Sequence, residues 1–325
     1  MILVIGAGAV GSFLGATLAA GGEQVQLLPR TSPARLSTLV SETPELILIA
    51  VKMPDLAGAI ATAAAWPKAM VLAVENGVGA DQELLATRPA GGLIAGSLTT
   101  SVERTGTGAI ERLSRGGIVL APVRGQVDSM IARLTRAFVA GGLRARPTGD
   151  AAAMRWSKLL LNLMGNASGA IVDLDPVAVY RDPDLFRLEC RQIQEALATM
   201  RRLGLRPIRL FGGDARLLPI ALRLPRPILQ RVLVRVVARG RGGKRPSLHL
   251  HLARGGGDRS EVDWLNGAVA DAAAGLGSLA PVNAGLARLV EECNRDPQRW
   301  AWFRGRPDRL VGALAGPLPP AGSGL

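Results

Sequence analysis

Six residues near the amino terminus constrain this chain more than any others. Gly6-Ala7-Gly8-Ala9-Val10-Gly11 follows directly on the apolar run 1–5 and opens a stretch, 10–20, of helical composition. A GxGxxG alone is common. Between a strand and a helix, each glycine answers a requirement: the first permits a tight turn, the second lets backbone approach a pyrophosphate, and the third lets helix pack closely on strand. The helix amino end then attracts phosphate. The pattern predicts a dinucleotide cradle formed by Gly6, Ala7, Gly8, Ala9, Val10 and Gly11.

The following residues repeat the same architecture. Residues 24–28 are a second strand candidate, and 46–51 (LILIAV) and 70–74 (MVLAV) are continuous apolar runs bounded by polar or glycine residues. That is the signature of strands buried on both faces of a parallel sheet. Shorter strand candidates follow at 93–97, 117–120 and 143–146, with alanine-rich helical stretches between them. After Asp150 only helical patterns remain, at 151–165, 183–203, 227–239, 260–276 and 282–294, interrupted by prolines near 206, 218 and 225–227. The expectation is an α/β fold: a Rossmann-type doubly wound parallel sheet over 1–149, followed by an all-helical domain over 150–314. The proline- and glycine-rich 315–325 is expected to be a disordered tail.

Composition narrows the function classes. The first 22 residues carry no charged side chain, but they lack a basic leader and are broken by glycines, which argues against a signal peptide or a membrane span. Cys190 and Cys293 have no CxxC or CxxH spacing, as expected of buried thiols in a reducing cytoplasm. The net charge of +13 raises the question of nucleic acid. The arginines are scattered, however, and no aromatic-rich basic motif accompanies them, so no nucleic acid and no membrane partner is expected. Arg231, Arg235 and Arg239 would line one helix face beside Val232 and Val236, read as a solvated surface. A monomer or homodimer acting on a small molecule is the simplest reading.

Two positions carry the chemistry. The end of the second strand holds Arg30, Thr31 and Ser32 where an acid would bond the ribose 2′-hydroxyl of NAD, so the cofactor is expected to be NADP(H), with Arg30 beside the 2′-phosphate. Of 39 basic residues only four are lysines: Lys52, Lys68, Lys158 and Lys244. In so arginine-rich a chain, a lysine suggests a task that an always-protonated guanidinium cannot perform, such as donating a proton. Lys158, Asn162 and Asn166 recur every four residues in an otherwise apolar helical segment, which would place them on one face. Such a stripe serves either a bound substrate or a seam of hydrogen bonds between helices.

Several motifs taken in order resemble the ketopantoate reductase (2-dehydropantoate 2-reductase) family from Met1 to about residue 310. They are GAGAVG at 6–11, Ala50-Val-Lys52, Glu75-Asn-Gly-Val-Gly79, Lys158 with Asn162 and Asn166, and Glu261-Val-Asp-Trp-Leu-Asn-Gly267. The resemblance implies NADPH-dependent reduction of a 2-oxo acid, ketopantoate to pantoate, a step of pantothenate biosynthesis. By position, Lys158 matches the general acid and Asn76 the residue between nicotinamide and substrate. Lys52 and Val102 match cofactor contacts, while Asn162, Asn166 and Ser247 match substrate contacts. Glu261 matches a glutamate near the nicotinamide ribose and the lysine, where its charge would hold the lysine's protonation state.

The chain departs from that pattern in three places. The segment before LILIAV is shortened, Gly255, Gly256 and Gly257 lengthen the interval between Ser247 and Glu261, and Asp175-Pro176 stands near an expected substrate asparagine. These changes bear on substrate identity, so a reductase or dehydrogenase for another 2-oxo or 2-hydroxy acid is the alternative, with a catalytically idle NADP-binding protein as the other. His249 and His251 have no third ligand at sensible spacing, and no metal is expected. Trp300, Trp302 and Phe303 read as a core or interface anchor.

Overall fold

The computed structural model of the protein describes residues 1–28, 40, 42–88, 91–241 and 245–315. It divides into two compact units, Met1–Lys158 with Ile208–Asp214, and Leu159–Pro207 with Ala215–Leu325. The division expected between 149 and 150 therefore falls further along, within a helix, and a short segment returns to the first unit.

The first unit is built on a seven-stranded sheet. Its strands are β1 (Ile2–Ile5), β2 (Val25–Leu28), β3 (Leu46–Ile49), β4 (Met70–Ala73), β5 (Leu93–Leu98), β8 (Ile118–Arg124) and β9 (Ala145–Pro147), in the order β2-β1-β3-β4-β5-β8-β9. The first five are parallel neighbours, β5 pairs antiparallel with β8, and β8 parallel with β9. The expected parallel sheet is thus mixed at its far edge. An antiparallel hairpin, β6 (Val102–Arg104) with β7 (Ile110–Arg112), separates β5 from β8. The sequence reading had no strand there because both members carry charges that face solvent. A further short pair, β10 (Arg209–Leu210) with β11 (Gly213–Asp214), lies in the returning segment.

All four residues of β1 and of β3 are buried, as continuous apolar runs require. Val4, Leu48, Leu72, Ile94 and Leu120 form one sheet face of the core. Helices α1 (Ala9–Ala20) and α4 (Asp128–Ala140) cover it through Leu14, Leu18, Leu134 and Phe138. Each such side chain contributes about 1.5–3 kcal/mol by leaving water. The other helices of this unit are α2 (Leu56–Ala63), α3 (Ala80–Thr87) and most of α5 (Ala151–Leu163).

The second unit contains only helices and 3-10 turns among its described residues. The α-helices are α6 (Ala167–Val172), α7 (Pro176–Arg181), α8 (Pro183–Arg202), α9 (Leu218–Ala221), α10 (Arg226–Arg241), α11 (Ser247–Ala253), α12 (Asn266–Gly275), α13 (Pro281–Arg295), α14 (Pro297–Phe303) and α15 (Pro307–Ala315). The continuous helix expected over 260–276 is broken into a 3-10 turn, Glu261–Trp264, and α12, because Leu265 leaves helical geometry (φ −110°, ψ −95°). On α11 the two histidines separate: His249 meets Asp173 at 2.7 Å, and His251 meets Asn294 at 2.8 Å. Phe303 is fully buried, and the Trp300 indole donates to the Ala170 carbonyl at 2.9 Å. Among the described residues, no helix is long and apolar enough to cross a membrane, and no group of three or more His, Cys, Asp or Glu is placed to hold a metal.

Two glycines set the approach of α1 to α4. A Cβ at Gly141 would lie 2.9 Å from the Thr17 carbonyl carbon and closer still to its oxygen, and one at Gly21 would press on the Ala137 backbone in the same way. Gly141→Ala is expected to cost about 1–3 kcal/mol by overpacking, read as a lower urea midpoint with an unchanged slope.

Candidate active site

The turn after β1 is shaped by contact. Gly6 has φ +99°, and a Cβ there would sit 2.6 Å from the Ala50 carbonyl oxygen at the end of β3. A Cβ at Gly11 would overlap the Gly6 carbonyl, whereas Gly8 is exposed with nothing within 4 Å of its Cβ direction. The first and third glycines are thus required by packing, and the second is left open on the side where a phosphate would approach. The Ser12 amide makes its bond to the Gly8 carbonyl at 3.0 Å. The preceding amides at the start of α1 are the ones a helix leaves without internal acceptors, and no acidic side chain occupies that first turn. The loop lies where β1 and β3 diverge, the place where doubly wound sheets bind ligands. These features fit the pyrophosphate of a dinucleotide.

Within the same unit, the structure places Lys52 exposed just after β3, Asn76 exposed in the turn between β4 and α3, and Val102 half-buried at the start of β6. Arg30, with Thr31 and Ser32, lies outside the described residues. Lys158 is half-buried on α5, with Asn162 one turn further along the same helix. The third member of the expected stripe does not share that face. Helix α5 stops at Leu163, Gly165 turns the chain with φ +61°, and Asn166 becomes the cap residue of α6. Asn166 is buried, and among the described residues its Oδ1 has no hydrogen-bond partner. Asn162, Asn166, Ser247 and Glu261 belong to the second unit. There Ser247 is exposed as the first residue of α11, and half-buried Glu261 opens its 3-10 turn next to Ser260, which accepts from the Val262 amide.

Three residues of the first unit, Arg155, Asp81 and Arg104, are not singled out by the sequence. Arg155, one turn before Lys158, is only 5% exposed and saturates its guanidinium. Nε and Nη2 grip the Asp81 carboxylate at 3.0 and 2.7 Å, Nη1 donates to the carbonyls of Glu75 and Gly96, and Nη2 also reaches that of Ala73. It thereby ties α5 to the carboxyl ends of β4 and β5 and to the first turn of α3. Removing one partner of such a buried pair costs about 3–5 kcal/mol. Its signal in the sequence was lost among the many other arginines.

Glu75, which the sequence carries as the first residue of the Glu75–Gly79 motif, lies directly before Asn76. It is buried, and among the described residues neither carboxylate oxygen has a hydrogen-bond partner within 3.5 Å; the Ser97 hydroxyl of β5 is likewise buried and unpaired. Burial pushes the Glu75 carboxyl up to about 8, against the pull of Arg155. Arg104 of β6 donates from Nη2 to the Ala7 carbonyl at 2.6 Å and to the Ser12 hydroxyl at 3.2 Å.

Comparison with known proteins identifies the family. The family model of ketopantoate reductase PanE/ApbA matches residues 2–40 and 31–125, and the model of its C-terminal region matches 150–294. The chain belongs to the ketopantoate reductase family. It is 27% identical over 322 residues to the 2-dehydropantoate 2-reductase of Halobacterium salinarum, covering 91% of this chain and 99% of that protein. The same-named protein of Archaeoglobus fulgidus is 24% identical over 307 residues, covering 89% and 96%. Among solved structures, a PanE/ApbA family ketopantoate reductase from Ralstonia eutropha superposes with a TM-score of 0.73 at 24% identity, covering 91% and 99%. D-mandelate dehydrogenase in complex with NADH and anilino(oxo)acetate gives 0.73 at 17% identity, covering 90% and 98%. Membership of this ketopantoate reductase family makes the protein an oxidoreductase that acts on a CH–OH group with a nicotinamide cofactor and a small keto acid.

The Glu75 carboxyl holds its proton in the folded chain from about pH 4.5, where an unfolded glutamate loses it, to about pH 8. Its contribution to stability is therefore fully present below the lower value and is lost as pH rises through the upper one. Glu75→Gln is expected to flatten the decline in unfolding temperature between pH 5 and pH 9 and to exceed the parent protein at the alkaline end, which thermal melts at several pH values will show.

Proposed function

We propose that the protein reduces ketopantoate to pantoate with NADPH, with Lys158 as the general acid. The observation that carries this reading is the placement of Lys158 on α5, one turn beyond the Arg155 anchor, in the same compact unit as the glycine cradle and the Asn76 turn. A bound nicotinamide supplies the hydride for carbon 2 of the oxo acid. The Lys158 ammonium neutralises charge developing on the carbonyl oxygen and then delivers a proton to it, the electrostatic task that other enzymes give to a metal. Asn76 orients the reacting groups, and the family resemblance assigns Asn162, Asn166 and Ser247 to the substrate and Glu261 to the nicotinamide ribose. The unpaired Oδ1 of buried Asn166 supports a ligand-binding role, since such atoms normally find a partner. Lys52 and Val102 contact the cofactor, and Arg30 takes the 2′-phosphate that distinguishes NADP from NAD.

One observation favours a different acid as substrate. Asp175, near the position of the expected further asparagine, is occupied in capping α7, where its Oδ1 accepts from the amides of Val177 and Ala178 at 2.8 and 3.0 Å. With that contact missing, a 2-oxo acid lacking the hydroxylated tail of ketopantoate becomes the second reading, which the likeness to D-mandelate dehydrogenase accommodates.

The test is Lys158→Ala assayed by NADPH absorbance on a panel of 2-oxo acids, each also offered with NADH. Turnover should fall by about 10²–10⁴ while NADPH affinity stays within about twofold, and the parent protein should prefer ketopantoate and NADPH. Undiminished turnover would remove the lysine from the mechanism, and a preference for an aryl or short-chain oxo acid would select the second reading.

A further inference from the structure

We infer that Arg104 is a pyrophosphate-binding residue, carried over the glycine cradle by the β6–β7 hairpin; this rests on the reading that a nicotinamide dinucleotide occupies that cradle. The hairpin is held by its own ladder, with Glu103 opposite Glu111 and Arg104 opposite Ile110, and is closed by a turn in which the Thr105 amide donates to Ala109 and the Gly108 amide donates back to Thr105. Arg104 leaves this rigid base and fastens one nitrogen to the loop. Nη2 donates to the Ala7 carbonyl and to Ser12 Oγ, and Ser12 Oγ itself donates to the same carbonyl at 3.2 Å. Three groups thus lock Nη2 of the guanidinium against the GAGAVG turn.

The remaining donors are uncommitted. Among the described residues, Nε and Nη1 make no hydrogen bond and no carboxylate pairs with the guanidinium. Its full positive charge stands beside the positive end of α1, whose first turn carries no acid to balance it. Two like charges held together at the mouth of a phosphate cradle repel each other when the cradle is empty. An anion between them turns that repulsion into two attractions, and the N–H groups of Nε and Nη1 remain to donate to its oxygens. The pyrophosphate is the anion that a GxGxxG turn receives. A role at the 2′-phosphate is geometrically separate, because that group is read at the end of β2.

The experiment measures dissociation constants for NADPH and NADH by calorimetry on the full chain, comparing parent, Arg104→Met and Arg104→Lys at two salt concentrations. Methionine keeps the apolar stem and removes the fork. The expected result is weakening of both cofactors by about ten- to a hundredfold in Arg104→Met, the span of a hydrogen bond to a charged group. The loss should be equal for NADPH and NADH because both share the pyrophosphate, and the salt dependence of binding should shrink with the lost charge. Arg104→Lys should recover part of the affinity. Inorganic pyrophosphate should compete with NADPH on the parent and compete more weakly on Arg104→Met. Unchanged affinity in Arg104→Met, or a loss confined to NADPH, overturns the inference. Failure of the parent itself to bind either dinucleotide overturns the cofactor reading instead. A melting temperature of Arg104→Met within a few degrees of the parent separates lost binding from lost fold, and the lysine variant supplies the same comparison if the methionine variant unfolds.

Discussion

A single guanidinium holds the candidate site of the first unit together. Arg155 directs its five N–H donors at five acceptors: both oxygens of Asp81 and the carbonyls of Ala73, Glu75 and Gly96. A buried charge is tolerated only when it is paired and its donors are satisfied, and here both conditions hold. The carbonyls come from the ends of two adjacent parallel strands, where the ladder runs out and backbone groups need partners. The carboxylate comes from the helix that begins after the Asn76 turn. The bond set therefore fixes three things at once: the strand ends, the turn that presents Asn76, and the rotation of α5. Lys158 lies three residues along that helix, so its direction is inherited from the clamp.

Glu75 and Arg104 take their meaning from the same frame. The clamp uses the Glu75 carbonyl but leaves its carboxyl buried and unbonded, which raises its proton affinity and places a neutral acid directly behind Asn76. A site that binds a cofactor whose ring is positive in one oxidation state and neutral in the other is sensitive to any such buried group. Arg104 is bonded to the Ala7 carbonyl and the Ser12 hydroxyl of the glycine turn. The first unit thus carries a saturated buried guanidinium, a buried unbonded carboxyl and an exposed cation on its glycine turn.

Most of the scaffold was legible in the sequence because it rests on local patterns. Continuous apolar runs at 46–51 and 70–74 could only be strands covered on both sides, and β1 with its glycine turn carried its own explanation in the spacing of Gly6, Gly8 and Gly11. The ketopantoate reductase resemblance was legible for the same reason, since its motifs are short and ordered. What could not be read were long-range satisfactions of charge. Arg155 looks like any other arginine until Asp81, 74 positions away, is brought against it. Arg104 acquires a role only when a polar hairpin folds back on a loop 97 residues earlier. The stripe of Lys158, Asn162 and Asn166 failed at its third member because a helical period assumes an unbroken helix, and Gly165 ends this one.

The account is tested most directly by a crystal structure of the protein with NADP⁺ and a bound 2-oxo acid. The expected result is the Lys158 nitrogen within hydrogen-bond reach, about 3 Å, of the carbonyl oxygen at carbon 2, with the nicotinamide ring over that carbon. A substrate carbonyl held by some other group, with the Lys158 ammonium turned to solvent or enclosed among apolar side chains, would contradict it.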